Sequence, residues 1–376
     1  MMKVYLGAVT LVFASAGVAL GASNAYTQTN LTSDLSGMAA NQDPNLVNPW
    51  GLVAGPSTPF WTADNGTGLS TLYNGKGTPL SLVVTVPPAA GQSPPSDPTG
   101  IVFNGAGADF KGTHFIFATE SGTIAGWSGP TTAALEQTGA AGSVYKGLGI
   151  GANASGSLLY AANFGLGKID VFDSSFNPTT VSGGFTDPTL PAGYSPFNIQ
   201  NIGGQLYVTF AKTSGGKDEA DGAGLGYVDV FDMNGTFVKR LASQGALNAP
   251  WGLAMAPSKF GALSGDLLVG NFGDGTINGY DPVTGAWVGA IDDTSGKALS
   301  IDGLWGLSFG NGAQNQDVNT LYFNAGIAGP GSVEDHGLFG ALSVATPEPG
   351  ALPLSLLGLA AFAAGGLRRV MKTKTN

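Results

Sequence analysis

The pentapeptide "NPWGL" at residues 48–52 returns as "APWGL" at 249–253 and as "GLWGL" at 303–307. Weaker versions begin at Asp97 ("DPTGIVF"), Val144 ("VYKGLGI") and Ser195 ("SPFNIQNI"), so six starts stand 47 to 54 residues apart. Self-similarity at such a period marks a repeat architecture, in which one supersecondary unit buries its apolar face only against its neighbours. Two more phrases recur behind each start. The first includes "PFWTADNG", "HFIFATESG", "LLYAANFG", "QLYVTFAK", "DLLVGNFG" and "TLYFNAG". The second is "GLSTLYN", "GTIAGWS", "GKIDVFD", "GYVDVFD" and "GTINGYD", where Gly is followed five places on by an aromatic residue and then Asp, Asn or Ser.

Each phrase alternates apolar with small or polar residues, the period of a half-buried strand. Three such strands and a less regular fourth ("PLSLVVTV", "TFVKRLA", "AWVGAID") make a four-stranded propeller blade. Six copies predict an all-β, six-bladed β-propeller over residues 26–344. The last copy, "GALSVAT" at 340–346, has no fourth strand after it, and the orphan "YTQTNLTSD" at 26–34 can supply one and remove the open edge. Trp50, Trp251 and Trp305 would lie on innermost strands and fill the core between blades. The aromatic-Asp pairs would end the third strands and start their turns.

Composition agrees. Gly is 61 of 376 residues without a three-residue period, which excludes collagen, and 43% hydrophobic against 11% charged residues excludes a disordered body. The net charge of −10 argues against nucleic acid as a partner. With no cysteine there are no disulfides, no thiolate chemistry and no Cys-ligated zinc.

The two ends read differently. Residues 1–25 carry Lys3, an apolar run and Ser23 and Ala25 before Tyr26, the pattern of a secretory signal peptide. From 345 to 376 the chain reads "ATPEPGALPLSLLGLAAFAAGGLRRVMKTKTN". Residues 351–367 are uncharged and span roughly 25 Å as a helix, the short end of a transmembrane segment, with a basic tail after them. Pro347-Glu348-Pro349, the apolar run and then Arg368-Arg369 resemble the PEP-CTERM sorting signal of Gram-negative bacteria. That resemblance implies Sec export, transient anchoring in the inner membrane, processing by an exosortase-type membrane protease, and a final place at the cell surface among exopolysaccharide. A plain C-terminal anchor is the alternative.

The blade pattern is similar to NHL-type and gluconolactonase-like propellers. The body, with "NPWGL", "WTADNGTG" and "STLYNGKG", resembles a family of secreted bacterial propeller proteins to which no activity attaches. Catalytic signatures such as G-x-S-x-G, H-E-x-x-H and the P-loop are absent. The two histidines, His114 and His336, read as solvated loop residues. Polar residues end the second strands: Asp64, Asn65, Glu120, Asn163, Asn271 and Asn324, with Lys212 in the fourth copy. Such positions converge toward one mouth of a propeller channel, and their oxygens suit Ca²⁺. Glu120, Asn163, Asn271 and Asp64 are therefore the expected metal ligands, although Asn and Asp there also start turns by themselves. The acidic stretch "KDEADGAGLG" at 217–226 reads as a solvated loop between strands, with Asp218, Glu219 and Asp221 as a lesser cation site. The expected function is an exported, non-enzymatic binding or scaffold protein linked to exopolysaccharide. The alternative is a Ca-dependent hydrolase of lactonase type acting at the channel mouth.

Overall fold

A computed structural model describes residues 24–329 and 333–345. Residues 1–23 of the expected signal peptide, the expected transmembrane segment 351–367 and the expected sorting residues Pro347, Glu348, Pro349, Arg368 and Arg369 lie outside the described residues. Among the described residues no helix is long and apolar enough to cross a membrane. The strands form six separate sheets, antiparallel except for the short parallel pairing of Thr32 and Ser33 with Asn41 and Gln42, arranged as a six-bladed propeller. The innermost strands are Pro49–Val53, Pro98–Phe103, Tyr145–Asn153, Tyr194–Ile202, Pro250–Met255 and Leu304–Phe309. We number the blades one to six in that order.

Every innermost strand has a register shift against its second strand, and always near the central pair of the repeated pentad. The shifts fall between Pro49 and Leu52, Pro98 and Ile101, Tyr145 and Gly147, Pro196 and Asn198, Pro250 and Gly252, and Leu304 and Leu307. A bulge bends a strand and re-aims the side chain at the extra residue. Here it turns the residue before the glycine toward the axis, out of the interface between blades where the sequence suggested the tryptophans would lie.

The glycine itself lets neighbouring blades touch. A Cβ on Gly51 would stand 2.6 Å from the Thr99 carbonyl oxygen, one on Gly100 2.5 Å from the Leu148 nitrogen, and one on Gly306 2.5 Å from the Trp50 carbonyl oxygen. Gly147 meets Asn198, and Gly252 meets Trp305. Only blade four lacks the glycine. Asn198 stands there and donates Nδ2 to the Trp251 carbonyl at 2.8 Å, so a hydrogen bond replaces the close approach.

Closure follows the strand count. Tyr26–Ser33 pairs antiparallel with Leu338–Val344, from Tyr26 opposite Val344 to Ser33 opposite Leu338, and forms the fourth strand of blade six. The Tyr26 ring then packs into the core against Phe260 of blade five at 4.7 Å between centroids. The turns after the third strands also follow the expected chemistry. The Asp173, Asp232 and Asp281 carboxylates each accept two backbone N–H groups at 2.8 Å within the next four residues, and the Asn74 amide oxygen accepts two at 2.8 and 3.1 Å. The fourth strands are less regular than the phrases implied. In blade one only Val84–Thr85 is a strand, and blade three has only Pro178–Thr179.

Candidate functional site

The bulges place one residue per blade at the axis: Trp50, Thr99, Lys146, Phe197, Trp251 and Trp305. Four of the six are aromatic, and they form a plug. Trp50 and Trp305 stack at 3.6 Å, while Trp251 meets both edge-on at 6.3 and 5.7 Å. Phe272 stacks on the other side of Trp305 at 4.2 Å and Phe197 lies 5.8 Å away. Two polar ties fix the rings. The Trp50 indole N–H donates to Asn48 Oδ1 at 3.1 Å, and that of Trp251 donates to the Lys146 carbonyl at 3.0 Å.

Lys146 is the one charged residue in this column. Its ammonium lies 4.8 Å over the Trp50 ring and 5.9 Å from the rings of Phe164 and Phe197. It is 2% exposed, a burial that lysine tolerates only when paired. The pairs are Glu120 at 2.9 Å and Glu219 at 3.4 Å. Around them stand Asn65, donating to Glu120 at 3.3 Å, and Asn48, donating to Glu334 at 3.0 Å. Burial works against every charge here. It would lower the Lys146 pKa, but Glu219 and Glu120 hold it above the ordinary value. It would raise Glu120, but Lys146 holds that carboxyl below its ordinary range. Glu219 is raised by burial, and burial pushes Glu334 up to about 7 despite the bond from Asn48.

This charged mouth includes one of the four expected metal ligands. Glu120 is there, engaged by Lys146. Asp64 is fully buried in blade one, accepts hydrogen bonds at 2.8 Å from both Thr62 and Thr71, and is pushed by burial up to about 8. Asn163 Oδ1 accepts the Val144 and Leu166 amides, and its Nδ2 donates to Ser143 and Asp170. Asn271 is engaged in the same way by Asn248, Ala246, Asp274 and Thr276. These amides fasten the start of their own blade. Among the described residues no hydrogen bond or ion pair joins Asp64, Asn163, Asn271 and Glu120 to one another, and no group of three or more His, Asp or Glu is arranged to hold a metal ion. Asn324 donates across the junction of blades six and one to the Gly51 carbonyl at 3.0 Å. Lys212 lies 5.1 Å over the Tyr194 ring.

The 217–226 stretch departs from the solvated-loop expectation. Asp218–Ala220 turns back to pair with the second strand of blade four, Lys212 opposite Ala220. That hairpin brings Glu219 inward to Lys146. His336 is likewise held, with Nδ1 2.6 Å from Asp34 Oδ2, while His114 stays exposed. Sequence reasoning missed Lys146 and Glu334, and named Glu219 only as part of a lesser cation site. The signal for the first was present: "YKGL" puts a lysine where three other copies put tryptophan.

Beyond the plug, toward the later residues of the inner strands, the axis opens into a cavity of about 320 Å³ to which all six blades contribute. Its floor includes Trp251, and Val53, Phe103, Ile150 and Gln200 stand around it. No Asp, Glu, Lys, Arg or His lines it.

No protein-family model matches the chain. Among curated proteins, an uncharacterized protein of Acanthamoeba polyphaga mimivirus is 37% identical over 316 residues, covering 79% of this chain and 76% of that protein. A second from the same virus is 36% identical over 319 residues, covering 78% and 80%. The chain belongs to the family of these viral proteins. Its relatives overturn the expected placement in a Gram-negative bacterium, with Sec export, transient inner-membrane anchoring and a bacterial cell surface. They are proteins of a virus. Among solved structures, a catalytically inactive virginiamycin B lyase from Staphylococcus aureus with quinupristin matches with a TM-score of 0.50 and 14% identity, over 85% of this chain and all of that one. At that identity the chain shares the propeller fold with the lyase and nothing more is implied.

Proposed function

We propose that the protein is a non-enzymatic binding propeller whose ligand sits in the axial cavity. The observation that carries this reading is the division of the axis. The tryptophan plug closes the channel, and the space on one side is a preformed cavity of about 320 Å³ framed by all six blades. Concave, largely pre-formed spaces with a few polar groups are where small ligands bind. The charged mouth offers less to a reaction. Glu120, Lys146 and Glu219 are one another's partners, and Glu334, which among the described residues has no cation paired with it, is engaged by the Asn48 amide. A general base must reach the proton it abstracts.

The test is a ligand-observed NMR screen with neutral, charged and apolar fragments on the intact protein and on Gln200→Trp, which fills the cavity. Hits that bind the first and not the second support the reading. Hits indifferent to Gln200→Trp place binding elsewhere and refute it. Turnover of a simple lactone that is lost in Glu120→Gln would replace it with the hydrolase reading.

A further inference from the structure

From the lining of the axial cavity, and resting on the binding role just proposed, we infer the class of its ligand: an uncharged polyol about the size of a single sugar ring. Three features of the wall lead there. The first is charge. The chain carries 25 acidic and 15 basic residues, yet none lines this cavity, so a charged ligand would leave water for a site without a counter-ion. Burying an unpaired charge is costly enough to exclude it.

The second feature is the pattern of hydrogen-bonding groups. Each inner strand pairs on one side only, with the second strand of its own blade. Its other edge faces the axis with backbone N–H and C=O groups in alternation. Side chains take some of these carbonyls, Asn201 that of Ile150 at 2.9 Å and Asn198 that of Trp251 at 2.8 Å. The remainder surround the cavity from six directions as mixed donors and acceptors. Among the described residues Gln200, half-buried on the wall, has no hydrogen-bond partner for its amide. A ligand matching such a ring needs groups around its whole periphery that both donate and accept. Hydroxyl groups do both.

The third feature is what lies between those groups. Val53, Ile101, Ile150, Leu307 and the Trp251 ring supply apolar surface. A polyol ring has apolar C–H faces and a polar rim, which matches a wall that is polar at the strand edges and apolar beside them. At about 320 Å³ the cavity is at the small end of ligand pockets, which limits the occupant to about one ring.

The experiment uses the intact protein and a matched series of rings: glucose, myo-inositol, glucuronate, glucosamine and cyclohexanol, each titrated by saturation-transfer NMR. Glucose or myo-inositol should bind at least about fivefold more tightly than glucuronate, glucosamine and cyclohexanol. Gln200→Ala should weaken that binding severalfold with an unchanged melting temperature, and Gln200→Trp should abolish it. Ala54→Phe, at another point of the wall, serves in its place if Gln200→Trp does not fold. If glucuronate, glucosamine or cyclohexanol binds as well as the neutral polyols and is lost in the filled variants, the ligand class is wrong and the axial binding site stands. If no member of the series binds, and no fragment of any class is displaced by the filled variants, both inferences fall.

Discussion

The indole rings of Trp50 and Trp305 lie face to face, 3.6 Å between centroids and 18° from parallel, across the junction of the first and last blades. These residues are 255 positions apart in the chain, so their contact forms only when the ring of blades is closed. Trp305→Ala should therefore cost about 3–5 kcal/mol, the usual range for emptying a large aromatic site in a core. Urea denaturation checks it. Trp251→Ala should fall in the same range, and the double variant should cost less than the sum, because the two rings share one cluster.

Gly306→Ala should destabilise the protein by about 1–3 kcal/mol, since its methyl would meet the Trp50 carbonyl oxygen at 2.5 Å and neither backbone can withdraw. Gly289→Ala is the control. A Cβ there would have only Asn24 Nδ2 near it, at 3.8 Å, and stability should stay within about 0.5 kcal/mol of the parent. Equal effects at the two positions would mean that the blades do not touch through the pentad glycine.

Lys146→Met keeps the length of the side chain and its contact with the Trp50 ring, and leaves Glu120 and Glu219 buried beside no cation. Breaking a buried pair from one side costs about 3–5 kcal/mol. Adding Glu120→Gln and Glu219→Gln to Lys146→Met should recover most of that loss in thermal unfolding. A triple variant no more stable than Lys146→Met would show that packing of the lysine stem, and not its charge, is what the mouth requires.

Asp64 gives the stability a pH dependence of definite sign. Its carboxyl titrates near 3.8 in the unfolded chain and, because burial disfavours the charge, near 8 in the folded one. Between those values the folded state keeps a proton that the unfolded state has lost. The contribution of neutral Asp64 is thus complete below about pH 4 and declines as pH rises toward 8. Asp229 and Glu334, both raised by burial to about 7, act in the same direction. Asp64→Asn, neutral at every pH, should flatten the urea midpoint between pH 4 and 9 in part. An unchanged slope would assign the whole effect to the other carboxyls that burial raises, Glu219 and Asp266 among them.

The propeller was legible because its information is local and repeated. Period-two phrases, aromatic-Asp turn starts and a missing last strand each leave a mark within a few residues, and Tyr26–Ser33 pairs where that gap required. The direction of the tryptophans was not legible. Alternation alone sends Trp50 into the space between blades, and the bulge that turns it to the axis is a property of pairing, visible only once the second strand is in place. The charged mouth was harder still. Glu120, Glu219 and Glu334 come from three different blades and meet over a lysine whose only sequence mark is that it stands in a tryptophan's column. The expected ligands Asn163 and Asn271 have the spacing that a channel site would need, but Asn also fastens a blade's start through its own amide, and the same letters serve both ends.

The strand that closes blade six also decides how the body responds to force. Tyr26 pairs with Val344, and the Ala345 amide donates to the Ala25 carbonyl at 2.8 Å, so the chain enters and leaves the ring side by side at one end of an antiparallel pair. Tension applied through residues 24 and 345 would load the pair one hydrogen bond at a time, as a zipper opens, and not along its whole length in shear. A ring of six interlocked blades would then open at low pulling force from a single seam.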